Sequence, residues 1–204
     1  MNSQETISVS VLILRVSKYS EADLIITGLS SEFGKVSMIA RGALKSKKRF
    51  SGGILEATHF VKALIKKSRT EGGLATLQEA SLLEPFSGLR TDYDRLGLAL
   101  KLISVISRIS QEQDPHAQDL YHLTGHALKV LQTAPDLSLF WSHFILRLLL
   151  NQGVLVQEPW MKVFLELPMA KHTQLRADMV QLLAQDVHER AQRSLDRYLE
   201  TCSS

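Results

Sequence analysis

The sequence predicts an α+β protein, with an all-β N-terminal region followed by an all-α C-terminal one. Three observations carry that assignment. Apolar residues recur mostly at every second position up to about residue 83, and at every third or fourth position afterwards. Turn-forming stretches divide the first region into five short segments rich in β-branched residues. The chain has 204 residues, 45% apolar and 22% charged, which is the composition of ordinary folded protein with room for one large domain or two small ones.

The five expected strands are "ISVSVLILRV" (7 to 16), "ADLIITGLS" (22 to 30), "KVSMIARG" (35 to 42), "ILEATHFVKALIKK" (54 to 67) and "GLATLQEASLL" (73 to 83). Five antiparallel segments in about 80 residues suit an oligonucleotide-binding (OB) barrel, although periodicity alone also allows other small barrels. The connections include "SEFGK", where Gly34 can take a positive φ, the basic "RGALKSKKRFSGG", and "SRTEGG".

After "EPFSGLR" the period becomes helical. Thr91 followed by Asp94 resembles a capping box with Asp in place of Glu, opening a helix through Leu96, Leu100, Ile103 and Ile106. A second helix is expected from Pro115, at its first position, to Thr133. Asp136 should cap a third, in which Leu137, Phe140, Trp141, Phe144, Ile145, Leu148 and Leu149 repeat at helical spacing. Leu139, Leu146 and Leu150 widen that stripe until it is nearly apolar all round, the mark of a central helix, and Gly153 is a natural stop. Two further helices are expected at about 173 to 184, with Leu175, Met179, Leu182 and Leu183 inward, and 186 to 201. The expected division is a barrel over residues 1–83 and a helical domain over 84–204.

Several function classes are set aside by what the chain lacks. Cys202 is the single cysteine, so neither a disulfide framework nor a cysteine zinc cage can be built, and a reducing, cytoplasmic setting fits. The N-terminal apolar run alternates with serines and lacks a basic leader, so it reads as strand and not as signal peptide. The stretch Leu137 to Leu150 is interrupted by Ser138, Ser142, His143 and Arg147 and is too short to span a bilayer. "GLSSEFGKVS" fails as a phosphate loop, because five residues separate its glycines and Val36 stands where Ser or Thr must hold magnesium. His122 and His126 lie four apart on an expected helix, but Leu123 occupies the place of a zincin's general base, and ordinary surface histidines explain the pair. No nucleophile motif, paired catalytic acid or cofactor motif occurs, so the expectation is a non-enzyme with no cofactor and no metal.

The charge is unevenly distributed. The net charge is +3, but residues 1 to 80 hold 12 Lys and Arg against 7 Asp and Glu, while residues 81 to 204 hold 12 against 14. The basic half concentrates its charge in "RGALKSKKR", where Arg41, Lys45, Lys47, Lys48 and Arg49 occur within nine residues. Such a run is commonly just a solvated loop. Its flanking glycines, Gly42, Gly52 and Gly53, and the hydroxyls of Ser46 and Ser51 suit close approach to phosphates instead. Lys35 and, on the next strand, Lys62 are weaker candidates, Lys62 sharing a face with Phe60, Leu64 and Lys66. Tyr19, Phe33, Phe50 and Phe60 are the whole aromatic supply of the first half, so binding is expected to rest on phosphates more than on base stacking.

The stretch "SKYSEADLIITGLSSEFGKVSMIARGALKSKKRFSGGILEATHF" resembles the N-terminal domain of the RecO family of bacterial recombination mediators. The pattern is Tyr19-x-Glu21-x-Asp23, then Gly34-Lys35, Ala40-Arg41-Gly42, Arg49-Phe50 and Leu55-Glu56. "LATLQEASLLEPFSGLRTDYDRLGLAL" continues it and "FILRLLLNQG" is similar to the family's long central helix, so the resemblance spans roughly residues 9 to 153. Many members carry paired cysteines forming a zinc site after that helix. This chain has none there, so its zinc subdomain is expected to be absent, and Ala57 stands where a proline is usual.

The resemblance implies an OB barrel joined to a helical domain, acting without catalysis in DNA repair. It implies binding of single- and double-stranded DNA, annealing of complementary strands, and help in loading recombinase. RecR and the single-stranded-DNA-binding protein are the implied protein partners, and the implied setting is cytoplasmic and nucleoid-associated. The residues read by themselves leave two other classes open. One is an adaptor whose barrel binds an acidic protein tail, which would bind no oligonucleotide alone, and the other is an RNA-binding OB protein, which RNA–DNA competition would separate.

Overall fold

The computed structural model describes residues 6–46, 48–50, 52–68, 73–171 and 186–202. It falls into two compact units, Met1–Phe86 with Leu102–His122, and Ser87–Lys101 with Leu123–Ser204.

The first unit is built on five strands, β1 (Thr6–Lys18), β2 (Leu24–Ser30), β3 (Gly34–Ala40), β4 (Phe60–Lys66) and β5 (Ala75–Glu84). They close into a barrel in the order β1-β2-β3-β5-β4, with β1 pairing β4 to complete the ring. All pairings are antiparallel except the short β3–β5 contact, Met38 with Ala75 and Ile39 with Thr76. This is the connectivity of the OB barrel. Alternation places Val9, Val11 and Ile13 inward, and a register shift between Ile13 and Arg15 then turns Val16 inward and leaves Arg15 exposed. Ile26, Met38, Val61, Ala63, Ile65 and Leu77 complete the wall of that core.

The expected fourth strand began at residue 54, whereas β4 begins at Phe60. Residues 54–59 form a turn that seals the barrel. Ile54 is buried in the core, its carbonyl bonds His59 Nδ1 at 3.1 Å, and Thr58 takes φ 79° while its N–H donates to the Ile13 carbonyl. Apolar residues here serve a plug and not a ladder, which periodicity does not distinguish.

Five helices are present among the described residues: α1 (Tyr93–Ile109), α2 (Ala117–Leu131), α3 (Leu137–Asn151), the short α4 (Lys162–Glu166) and α5 (Asp186–Thr201). The expected cap of α1 is corrected. Asp92 Oδ1 accepts from the amides of Asp94 and Arg95, while the Thr91 hydroxyl turns back to the Gly88 carbonyl. Pro115 also precedes α2 instead of opening it, in a turn where Asp114 Oδ1 accepts from His116 N at 2.8 Å. For α3 the cap and most of the stripe are as expected: Asp136 Oδ1 accepts from Leu139 N at 2.9 Å, and Phe140, Trp141, Phe144, Ile145, Leu146, Leu148 and Leu149 are buried, whereas Leu137 and Leu139 are half-buried and Leu150 is exposed. Helix α5 follows the expected 186–201 span and buries Val187, Ala191, Leu195 and Leu199. The helix expected at 173–184 lies outside the described residues.

Within the second unit, the nearly apolar α3 also carries Arg147, whose guanidinium donates to the Leu167 carbonyl at 2.6 Å. Burial lowers its pKa from the usual range. Trp141 donates its indole N–H to Gln192 of α5 and lies under the Lys101 ammonium, 4.5 Å from the ring centroid. No helix among the described residues is long and apolar enough to cross a membrane.

Candidate nucleic-acid interface

The loop after β3 begins with a reversal that only a few residue types permit. Gly42 sits at φ 65°, ψ 20°, turning the chain into a 3-10 turn over Ala43–Lys45. Its N–H donates to Asp23 Oδ1 at 2.8 Å, and the Leu44 N–H donates to the Ala22 carbonyl at 3.1 Å. Asp23 is itself held in the tight β1–β2 hairpin, where its carbonyl accepts from Tyr19 N and its amide donates to the Ser20 hydroxyl. Hairpin tip and basic loop are therefore one hydrogen-bonded piece at one end of the barrel.

The far side of the loop is tied down as firmly. Phe50, 4% exposed, is part of the barrel core. The Arg49 carbonyl accepts from Ala80 N of β5, its amide donates to the Ser46 hydroxyl, and its guanidinium reaches back to the Arg41 carbonyl at 2.9 Å. The same guanidinium lies 5.3 Å from the Phe50 ring centroid.

Four of the five loop cations are described, and all four side chains are exposed: Arg41, Lys45, Lys48 and Arg49. Lys47 lies outside the described residues. Arg41, Lys45 and Lys48 make no ion pair among the described residues. Arg49 differs, because its donors already serve the loop.

The two weaker candidates stand elsewhere. Lys35 is the second residue of β3, at the end opposite to Arg41, and its ammonium donates to the Ser107 carbonyl of α1 at 2.7 Å. Lys62 is exposed on β4 and pairs with Ser10, about 25 Å along β1 from Lys18 at the hairpin. The apolar neighbour expected beside it is occupied, since Phe60 packs on Phe86 and edge-on to Tyr121 at 5.6 and 5.2 Å. Tyr121 also bonds Ser10, and burial raises its pKa above the usual phenol value. Sequence reasoning assigned no role to Asp23 or Tyr19. Their place in a spaced motif was a signal, but a hydrogen bond across 19 residues is not written in any local pattern.

Among the described residues no group of three metal-ligating side chains gathers. What remains at this end of the barrel is a cationic, solvent-facing loop on a rigid base.

Comparison with known proteins assigns the architecture. Residues 1–86 match the family model "Recombination protein O N terminal", and residues 90–157 match "Recombination protein O C terminal". The chain belongs to the RecO family. Among RecO relatives, the DNA repair protein RecO of Syntrophus aciditrophicus is 33% identical over 132 residues, covering 65% of this chain and 50% of that protein. That of Maridesulfovibrio salexigens is 31% identical over 144 residues, covering 70% and 57%. The RecO of Listeria monocytogenes is 27% identical over 138 residues, covering 68% and 52%. The chain spans about half the length of the curated relatives it matches. The family match covers the barrel, the basic loop and the helices through α3.

Proposed function

We propose that this chain is a non-catalytic recombination mediator of DNA repair, which binds single- and double-stranded DNA, anneals complementary strands and assists recombinase loading. The observation that carries the reading is the exposed basic loop seated on one end of a closed OB barrel. Membership in a family of DNA repair proteins supports it.

The mechanism follows from charge. Two single strands repel through their phosphates, and cations that face solvent on a fixed base can neutralise both backbones at once. Arg41, Lys45, Lys47 and Lys48 would make these contacts. Arg49 contributes charge but chiefly holds the loop, Lys62 is peripheral on the barrel wall, and Lys35 enters only if its bond to Ser107 opens. No bond is made or broken in the DNA. Unpaired bases stay free to find their complements, because phosphate contacts fix the strand without reading sequence.

The helical region over 84–204 would supply the docking surface for RecR and for the single-stranded-DNA-binding protein, in a cytoplasmic, nucleoid-associated setting. An annealing assay tests the whole reading, with complementary strands bare and coated by single-stranded-DNA-binding protein. The wild-type chain should accelerate annealing of both, and Lys45→Ala/Lys47→Ala/Lys48→Ala should lose most of the acceleration while remaining folded. An adaptor without DNA affinity would accelerate neither.

A further inference from the structure

The four aromatic residues of the first half are not equivalent. Phe50 is in the core, Phe60 is covered by Phe86 and Tyr121, and Phe33 lies under the Lys67 ammonium at 5.5 Å. Tyr19 is 63% exposed, and no ring or cation packs on it among the described residues. An isolated exposed aromatic needs no explanation. Tyr19, however, is placed: its amide closes the hairpin on Asp23, and that hairpin is bonded through Asp23 and Ala22 to Gly42 and Leu44 of the basic loop. Leu44 is itself 54% exposed, adding apolar surface beside the cations.

We propose that Tyr19 is a base-stacking residue that gives this end of the barrel its preference for single strands over duplex. The inference rests on the DNA-binding reading above and adds to it a contact that phosphates do not supply. The loop cations fix the backbone of a strand, and a ring anchored beside them meets the next unpaired base face to face. Stacking tolerates any base, so it adds affinity without sequence selectivity. In a duplex every base face is already covered except at the ends, so the same ring gains nothing. Glu21 is exposed on the same hairpin and opposes a phosphate placed directly over the tip, which leaves the ring for a base.

The test compares wild type, Tyr19→Ala and Tyr19→Phe on a single strand, a blunt duplex and a single strand of abasic backbone, all of equal length. Tyr19→Ala should bind the single strand about tenfold more weakly, with duplex and abasic strand changed less than about twofold. Tyr19→Phe should behave as wild type, because the ring and not the hydroxyl stacks. The salt dependence should be unchanged, since no charge is removed. Equal losses on all three ligands would make Tyr19 a structural residue, and no loss on the single strand would leave it a bystander; either result overturns the proposal. Failure of the wild-type chain to bind any of the three would instead remove the DNA-binding reading on which it stands.

Discussion

Two glycines at the ends of one barrel strand share a left-handed φ and have opposite surroundings. Gly34 opens β3 and Gly42 follows its end, with φ of 66° and 65°. At Gly34 the space is closed: a Cβ there would clash with the Gln111 carbonyl, Lys35 N donates to that same carbonyl, and Gln113 N donates to the Phe33 carbonyl. At Gly42 a Cβ would meet only the tip of the Arg49 guanidinium at 3.4 Å. The lysine beside Gly34 is spent on the Ser107 carbonyl, while Lys45 and Lys48 after Gly42 face solvent. One end of the strand is a joint with the segment around residues 107–113, and the other is a surface open to a ligand. A glycine beside a cation is thus not a phosphate signal by itself, and what packs on it decides.

The sharpest way to break this comparison is to add a methyl group at each glycine. Gly34→Ala combines a left-handed backbone with a clash against main chain and should lower stability by about 3 kcal/mol. Gly42→Ala carries only the backbone term, about 1 kcal/mol. Denaturant titrations of the two variants should keep that order, and equal losses would mean that the two ends are packed alike. A smaller effect is expected at Lys35. Lys35→Met removes the donor to Ser107 and should cost about 1 kcal/mol, with no change in the salt dependence of DNA binding. A reduced salt slope in that variant would show that the joint end also meets phosphates.

Much of the architecture was legible in the sequence, because it rests on local signals. The five strands follow from alternation, Asp136 and Gly153 bound α3 as their residue types suggest, and α5 occupies the predicted 186–201 span. The sequence is ambiguous where two uses of the same residue type look alike. Asp92 and Thr91 are both able caps, and only the fold of the Ser87–Arg90 turn directs Thr91 to Gly88. Residues 54–59 carry strand-like side chains into a turn because the barrel needs a plug there.

The candidate site was legible as a cluster and not as a set of roles. Arg41, Lys45, Lys48 and Arg49 are equal charges in one dimension. In three, Arg49 is a strut between the Arg41 carbonyl, the Phe50 ring and Ala80 of β5. Lys35 is bound by a carbonyl 72 residues away, and Phe50 resolves as a core anchor, not a stacking residue. Partners distant in sequence decide each of these assignments, and no local spacing encodes them.

The most direct test of the open, basic end is the salt dependence of single-strand affinity for wild type and for Lys45→Ala/Lys47→Ala/Lys48→Ala. Each phosphate neutralised on a single strand contributes about 0.7 to the slope of log K against log salt, so removing three contacts should flatten it by about 2. Circular dichroism and the unfolding midpoint should match wild type, because none of the three lysines is expected in the core. A folded triple variant with the wild-type slope would contradict the account and take the loop out of the DNA interface.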